Sequence, residues 1–304
     1  MKLSTSVCAF GAMGNNPLEL VQVCQKTRFK HLDFTFRNYL ESDDYIEKYK
    51  EAKKLADDLG IDFPMIHAPY AYNPCADQES FDIQVEQMRR AFEVCSVLGV
   101  DRITVHSGFG FSETKEEMFE KNIQYYKKIL PFAEDNGVMI MIENIAEEIY
   151  KRKFVVETAE DILFLKNALN GHPLINACWD TGHANTKALD QYDNIKKLGG
   201  ILKGLHLQDN NGYNDDHMPL LLGTVNFDEV VQGLLDINYD GPFNLECHFI
   251  NPGKSWPNYR RDFTEQSNAK PLVFDPDEEL RFYSIDLIYH MAEYVMNKYN
   301  IEVE

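Results

Sequence analysis

Six residues of the sequence stand where short apolar segments give way to loops: His67, His106, Glu143, Asp180, His206 and Glu246. The intervals between them are 39, 37, 37, 26 and 40 residues, each close to the length of one strand–helix unit. Three more potential ligands follow shortly after such ends, namely His183 and then Asp215 and His217. A single His or Asp at a strand end usually hydrogen-bonds a loop backbone. Convergence at one rim is different, because several unpaired carboxylates facing one another are each costly and a divalent cation is the natural counter-charge. The chemistry within reach of such a set is Lewis-acid and acid–base chemistry at a bound metal ion.

The stretch "ACWDTGHAN", residues 177–185, shows the device most openly. A capped turn, a surface loop and a metal site at a barrel mouth all fit it locally. Alternation favours the last. In "NACWD", Asp180 falls on one face with Cys178 and Asn176, leaving Trp179 on the other. In "VMIMIEN", Met139, Met141 and Glu143 share a face, opposite Ile140 and Ile142. Gly182 is read as permitting a sharp exit, and His183 as turning back towards the rim.

The elements that must position these residues form a regular beat. Eight strand candidates, "KLSTSVCAF", "HLDFTF", "DFPMIHAPY", "RITVHSG", "GVMIMIEN", "INACWDTG", "LKGLHLQDN" and "PFNLECHF", alternate with segments of helical period. "DDYIEKYKEAKKLADDLG" is expected to stop at Gly60, and "SFDIQVEQMRRAFEVCSVLG" to start at its serine and stop at Gly99. "SETKEEMFEKNIQYYKKILPFAEDNG" is expected to open on Ser112 and close at Gly137. The helix around 186–198 is the least apolar. The fold class expected is α/β, a single (β/α)8 TIM barrel over residues 1–304 with its metal site at the C-terminal rim of the strands. An open doubly wound sheet is the alternative, but no G-x-G-x-x-G follows the first strand.

With 49 acidic and 30 basic side chains, the chain carries a formal net charge of −19. Adjacent basic residues occur only as short pairs and one "KRK" at 151–153, so the surface disfavours a nucleic-acid partner. The opening "MKLSTSVCAFGAMGNN" makes a poor signal peptide, and no apolar run approaches the length of a membrane span. Cys8, Cys24, Cys75, Cys95, Cys178 and Cys247 lie without any CxxC spacing, as in a reduced cytoplasmic protein.

The segments "HAPY", "VHSG", "IEN", "WDTGHAN", "LHLQDNNGYNDDHMPLLLGTVNF" and "LECHF" run in that order from about residue 62 to 249. In them the chain resembles the xylose isomerase-like TIM-barrel superfamily. That superfamily includes sugar phosphate isomerases and epimerases, ketose epimerases and the endonuclease IV class of AP endonucleases (AP endonuclease family 2). The Asp-x-x-His of strand six and the His-x-x-Asp…Asp-x-His-x-Pro…Gly stretch after strand seven are its most specific features. The resemblance implies that Glu143, Asp180, His206 and Glu246 bind one catalytic divalent ion, with His183 beside it against the substrate. All nine positions that carry a trinuclear zinc site in endonuclease IV also hold suitable residues here, His67, His106, Asp215 and His217 among them. The serine of "VHSG", the "IENIAEE" after strand five and the want of basic loops depart from the endonuclease pattern.

The favoured expectation is therefore a metal-dependent isomerase or epimerase acting on a sugar or sugar phosphate through a metal-stabilised enediolate. Glu143 and Glu246 would remove and return the proton. His67, His106, His183, Asp215 and His217 would contact substrate. Three carboxylates and one imidazole suit Mn2+ or Mg2+, with Zn2+ or Co2+ as alternatives. An endonuclease IV-like zinc phosphodiesterase, a keto-sugar lyase or dehydratase, and a non-catalytic sugar-binding or structural barrel stay open beside it. The segment 250–276 is long for a βα loop. It reads as a surface excursion or as the contact of a homo-oligomer, or else as a lid carrying Trp256 and Arg260. His248 is expected to face away from the site, His31, His172 and His290 to be structural, and Phe10 and Phe36 to pack in the core.

Overall fold

A computed structural model of the chain describes residues 1–11, 13–36, 38–145, 153–248 and 277–304. Eight parallel strands are wound with intervening helices into a (β/α)8 barrel, as expected. They are β1 (Leu3–Ser6), β2 (His31–Thr35), β3 (Ile66–His67), β4 (Arg102–Val105), β5 (Met139–Glu143), β6 (Ile175–Asp180), β7 (Leu202–His206) and β8 (Phe243–Leu245). The sheet runs β7-β6-β5-β4-β3-β2-β1-β8. Two bonds past the end of β7 close the ring: Leu207 N–H donates to Asn244 O (2.9 Å) and Glu246 N–H to Leu207 O (3.0 Å). Closure matters for function, because it alone brings Glu246 to the same rim as Glu143 and His206.

The helices are α1 (Pro17–Gln25), α2 (Tyr45–Leu59), α3 (Gln78–Leu98), α4 (Lys115–Asn136), α5 (Ala159–Ala168), α6 (Thr181–Thr186), α7 (Gln191–Leu198), α8 (Phe227–Asp236) and α9 (Glu278–Lys298). Helices α2, α3 and α4 stop at Gly60, Gly99 and Gly137, each left-handed with φ of 67°, 72° and 64°, a conformation glycine adopts at no steric cost. Their starts differ from expectation. Asp77 caps α3, so Ser80 lies inside the helix and only receives the cap through its N–H. Thr114, not Ser112, caps α4, and Glu117 returns the bond to the Thr114 N–H (2.8 Å). A lysine three residues after Ser112 has no acceptor to offer in return; a glutamate three residues after Thr114 does. Among the described residues, no helix is long and apolar enough to cross a membrane.

The main core fills the space between strands and helices, with Ile103, Ile140, Ile142, Trp179 and Leu205 fully buried in it. Phe10 and Phe36 belong to this core, and Phe10 sits in a 3-10 turn over Val7–Phe10 rather than on the strand. A separate small cluster of Met65, Met141 and Cys178 fills the barrel beneath the rim. Gly204 is what admits it: a Cβ there would lie 2.6 Å from Met141 Sδ. The expected alternation thus holds on β5 and β6, and it aims Glu143 and Asp180 inward at their strand ends.

Candidate metal centre

Strand register builds the site. Asp180 pairs with His206, while His67 pairs with Thr104 and Glu143 with Cys178, each two residues short of the next strand's ligand-type residue, the stagger by which tilted barrel strands bring their ends to one rim. Asn144, next to Glu143, ties two of those ends together. Its side chain donates to Asp180 O (3.0 Å) and accepts from Asp180 N–H (2.7 Å). The chain then enters α6 with no loop at all, because Asp180 caps the helix by accepting the His183 N–H through Oδ1 (2.6 Å). Gly182 has a different task from the one expected. A Cβ on it would run into the Gln208 side chain, so glycine is needed for close approach rather than for a bend. Gln208 uses that space to donate to Asp215 Oδ1 at 2.5 Å and to Asp180 Oδ1 at 3.4 Å.

The nine residues converge. Four sets have donor atoms within 4.8 Å of one another: Glu143, Asp180, His206 and Glu246; His67, His106 and Glu143; His67, His206 and Glu246; and His183, Asp215 and His217. Glu143 is shared. Fully buried, it places Oε1 2.7 Å from His206 Nδ1 and Oε2 2.9 Å from His106 Nε2. Glu246 Oε2 approaches the same His206 Nδ1 at 3.1 Å. His183 and His217 both present Nε2 to Asp215 Oδ2, at 3.4 and 3.1 Å.

Backbone carbonyls choose which ring nitrogen faces inward. A carbonyl only accepts, so each nitrogen bonded to one carries the proton. His67 Nδ1 donates to Ala68 O (2.8 Å), His183 Nδ1 to Asn144 O (2.9 Å) and His217 Nδ1 to Glu246 O (2.7 Å). Nε2 of all three is thereby turned to the rim, and it is the nitrogen that would meet a metal ion once any proton on it is displaced.

The charges balance in pairs. Burial alone would raise the Glu143 carboxyl, but the imidazoles of His206 and His106 hold it well below the usual range. Burial pulls His206 down, yet Glu143 and Glu246 outweigh it and hold it at about 10. Asp180, buried beside Glu143 and Asp215, is pushed up to about 7 despite His183. Its Oδ2 is buried with no hydrogen-bond partner among the described residues. Clustered carboxylates, imidazoles aimed inward and an orphaned carboxylate oxygen fit a divalent cation.

Several neighbours of the site carry no signal in spacing. His248 does not face away: its ring stacks on His217 (centroids 6.1 Å, planes 13° apart), and its N–H donates to His217 O (2.9 Å). Asp209, the second member of His-x-x-Asp, joins none of the ligand sets. It accepts the N–H groups of Asn210, Gly223 and Val225 at 2.8, 2.8 and 3.0 Å and so staples the loop that bears Asp215 and His217. Tyr70, the last residue of "HAPY", lies 5.2 Å from both the His67 and the His106 ring centroids. Trp256, Arg260 and the rest of 250–276 lie outside the described residues.

Over residues 21–263 the chain matches the xylose isomerase-like TIM barrel family. It belongs to that family. Among its relatives is an uncharacterized protein of Methanocaldococcus jannaschii, MJ1311, 30% identical over 223 residues that cover 71% of this chain and 74% of the other. A probable endonuclease 4 of Staphylococcus saprophyticus is 25% identical over 250 residues, covering 76% and 81%. The fold is shared with a D-psicose 3-epimerase from Clostridium cellulolyticum H10 crystallised with D-tagatose (TM-score 0.75, 17% identity, 97% and 99% coverage). It is shared too with an L-ribulose 3-epimerase (TM-score 0.72, 15% identity, 99% and 97% coverage). The chain thus shares its fold with sugar epimerases and has probable endonuclease 4 proteins among its relatives.

Proposed function

We propose that the protein is a divalent-metal-dependent isomerase or epimerase of a sugar or sugar phosphate, with Glu143, Asp180, His206 and Glu246 holding the catalytic ion. One observation carries the reading: Glu143 from β5 and Glu246 from just past β8 reach the same ring nitrogen, His206 Nδ1, at 2.7 and 3.1 Å. Two carboxylates thus flank one point from different sides of the barrel mouth, as a proton donor–acceptor pair across a sugar carbon requires. A divalent ion at that point, Mn2+ or Mg2+ by the oxygen-rich donor set, with Zn2+ or Co2+ as alternatives, supplies Lewis-acid stabilisation of negative charge developing on a substrate carbonyl oxygen. One glutamate takes the carbon-bound proton and the other returns it to the opposite face. His67, His106, His183, Asp215 and His217 ring this point and would bind the sugar hydroxyls. The net charge of −19 favours a small molecule over a polyanion, and the epimerases that share the fold act on ketoses by their names.

A second reading has its own support. The residues assigned to substrate also form complete ligand sets, His67–His106 with the shared Glu143 and His183–Asp215–His217, and probable endonuclease 4 proteins are among the relatives. Three ions would suit hydrolysis of a phosphodiester. Metal analysis combined with two assays separates the readings. The isomerase reading expects about one tightly bound ion per chain and deuterium uptake from D2O into a ketose or ketose phosphate. Close to three zincs, incision of abasic-site DNA and no exchange into any sugar would replace it with the second.

A further inference from the structure

His206 differs from His67, His183 and His217 in one respect. His67, His183 and His217 each anchor the nitrogen remote from the rim on a backbone carbonyl. His206 is turned the other way round, with Nδ1 at the glutamates. Its Nε2 points into the barrel and has no hydrogen-bond partner among the described residues. What faces that nitrogen is a carboxylate: Asp33 Oδ2, from the middle of β2, lies 3.7 Å away. Asp33 is fully buried, as is His206, and its Oδ1 also has no partner.

Asp33 is held in place by a polar relay through the barrel interior. Asn244 on β8 donates through Nδ2 to Asp33 Oδ2 (2.9 Å) and accepts the Ser4 hydroxyl through Oδ1 (2.7 Å). Register makes the relay, since Ser4 pairs with Asn244 and Ser6 with Asp33. A carboxyl group buried in a barrel floor is costly unless something offsets it. Two side chains, Ser4 on β1 and Asn244 on β8, hold this one at the back of His206.

We infer that Asp33 is a positioning residue of the metal centre: facing His206 Nε2 at 3.7 Å, it favours the proton on that nitrogen, so that Nδ1 meets the ion as an oriented and more basic donor. A metal-bound His must keep its proton on the nitrogen that does not coordinate, and a buried N–H without an acceptor would oppose binding. Asp33, facing that nitrogen at 3.7 Å, lessens the opposition electrostatically. The inference rests on the reading of His206 as a ligand.

Metal affinity of the full chain tests both, by competition of Zn2+ and Mn2+ against a chromophoric chelator. His206→Ala comes first. If it binds as tightly as the wild type, or the wild type binds nothing, the reading of the site fails. Given a wild type that binds and a His206→Ala that does not, Asp33→Ala is expected to weaken binding about 10–100-fold. Asp33→Asn keeps shape and a neutral acceptor, so it should lose less, and Asn244→Ala should weaken binding in the same direction by freeing Asp33. The exchange-protected Nε2–H proton resonance of His206 in the metal-loaded wild type should be lost or shifted in Asp33→Ala. A role in folding alone would lower Tm and leave both readouts unchanged in the folded protein. If Asp33→Ala does not fold, Asp33→Asn and Asn244→Ala decide. Affinities of the folded variants within about twofold of wild type would overturn the inference and leave the metal site standing.

Discussion

Glu143 is the residue whose removal should be felt most widely, because it belongs to two ligand sets and faces His106, His206 and His67 at once. Glu143→Gln keeps the shape and one acceptor oxygen but cannot hold a proton in transit. With metal content checked, it should lower turnover and solvent-deuterium incorporation by about 10²–10⁴-fold, the usual worth of a general acid–base group. Wild-type exchange in a metal-loaded Glu143→Gln protein would remove the residue from that role. At this scale the sequence was readable wherever a side chain ends a strand. His248 and Asp33 were not readable: one depends on a strand bending back to His217, the other on an approach from three strands away.

Elements fix how firmly the site is held. The β7–α8 connection carries two candidate ligands yet has no strand or helix of its own between them. Its order comes from Asp209, which collects three backbone N–H groups and forms an antiparallel bridge with Met218. Asp209→Ala leaves those donors unpaired and should cost about 1–3 kcal/mol of stability. It should also weaken any ion held by His183, Asp215 and His217 more than one at Glu143, Asp180, His206 and Glu246. Chemical denaturation and metal titration of the same variant check both parts. The caps give a sharper comparison. Thr114→Ala should destabilise by about 1 kcal/mol, whereas Ser112→Ala should be neutral, since Thr114 is the residue that accepts the Glu117 N–H. Equal costs would contradict the capping box at Thr114. The misreading of Ser112 has the same origin as the correct reading of Gly137: both rest on local signals, and a serine two residues upstream imitates a cap until the partner glutamate is counted.

For the whole molecule, the rim couples charge to stability. In chelator-treated protein, burial pushes Asp33 up to about 8. His206 and His217 stand at about 10, because the carboxylates they face outweigh burial. An unfolded histidine loses its proton near pH 6.5 and an unfolded aspartate near 4. Between about pH 6.5 and 8 the folded chain therefore binds more protons than the unfolded one, so stability falls as pH rises through that window. Below it, burial and His106 lower His67 to about 4, which acts in the opposite sense and offsets Asp180. A divalent ion bound at the proposed site would take the place of those protons. Saturating Mn2+ or Zn2+ should accordingly raise Tm more at pH 8 than at pH 6.5, measured by calorimetry on stripped and loaded protein. An equal rise at both values would mean that the rim imidazoles are not the groups displaced.

By itself the sequence determined the strand–helix beat, the inward alternation on β5 and β6, and the identity of nine ligand-type residues. All of these follow from the period of the chain and from what each strand places at its own end. Tertiary structure alone decided that six of the nine fall into three overlapping sets, two of them sharing Glu143, and that His183, Asp215 and His217 form a fourth set of their own. It also decided which ring nitrogen of each histidine faces the rim, that Gly182 makes room for Gln208, and that Asp33 stands behind His206. Those facts depend on the closure of the barrel and on hydrogen bonds between strands far apart in the chain, and no spacing along one segment encodes them.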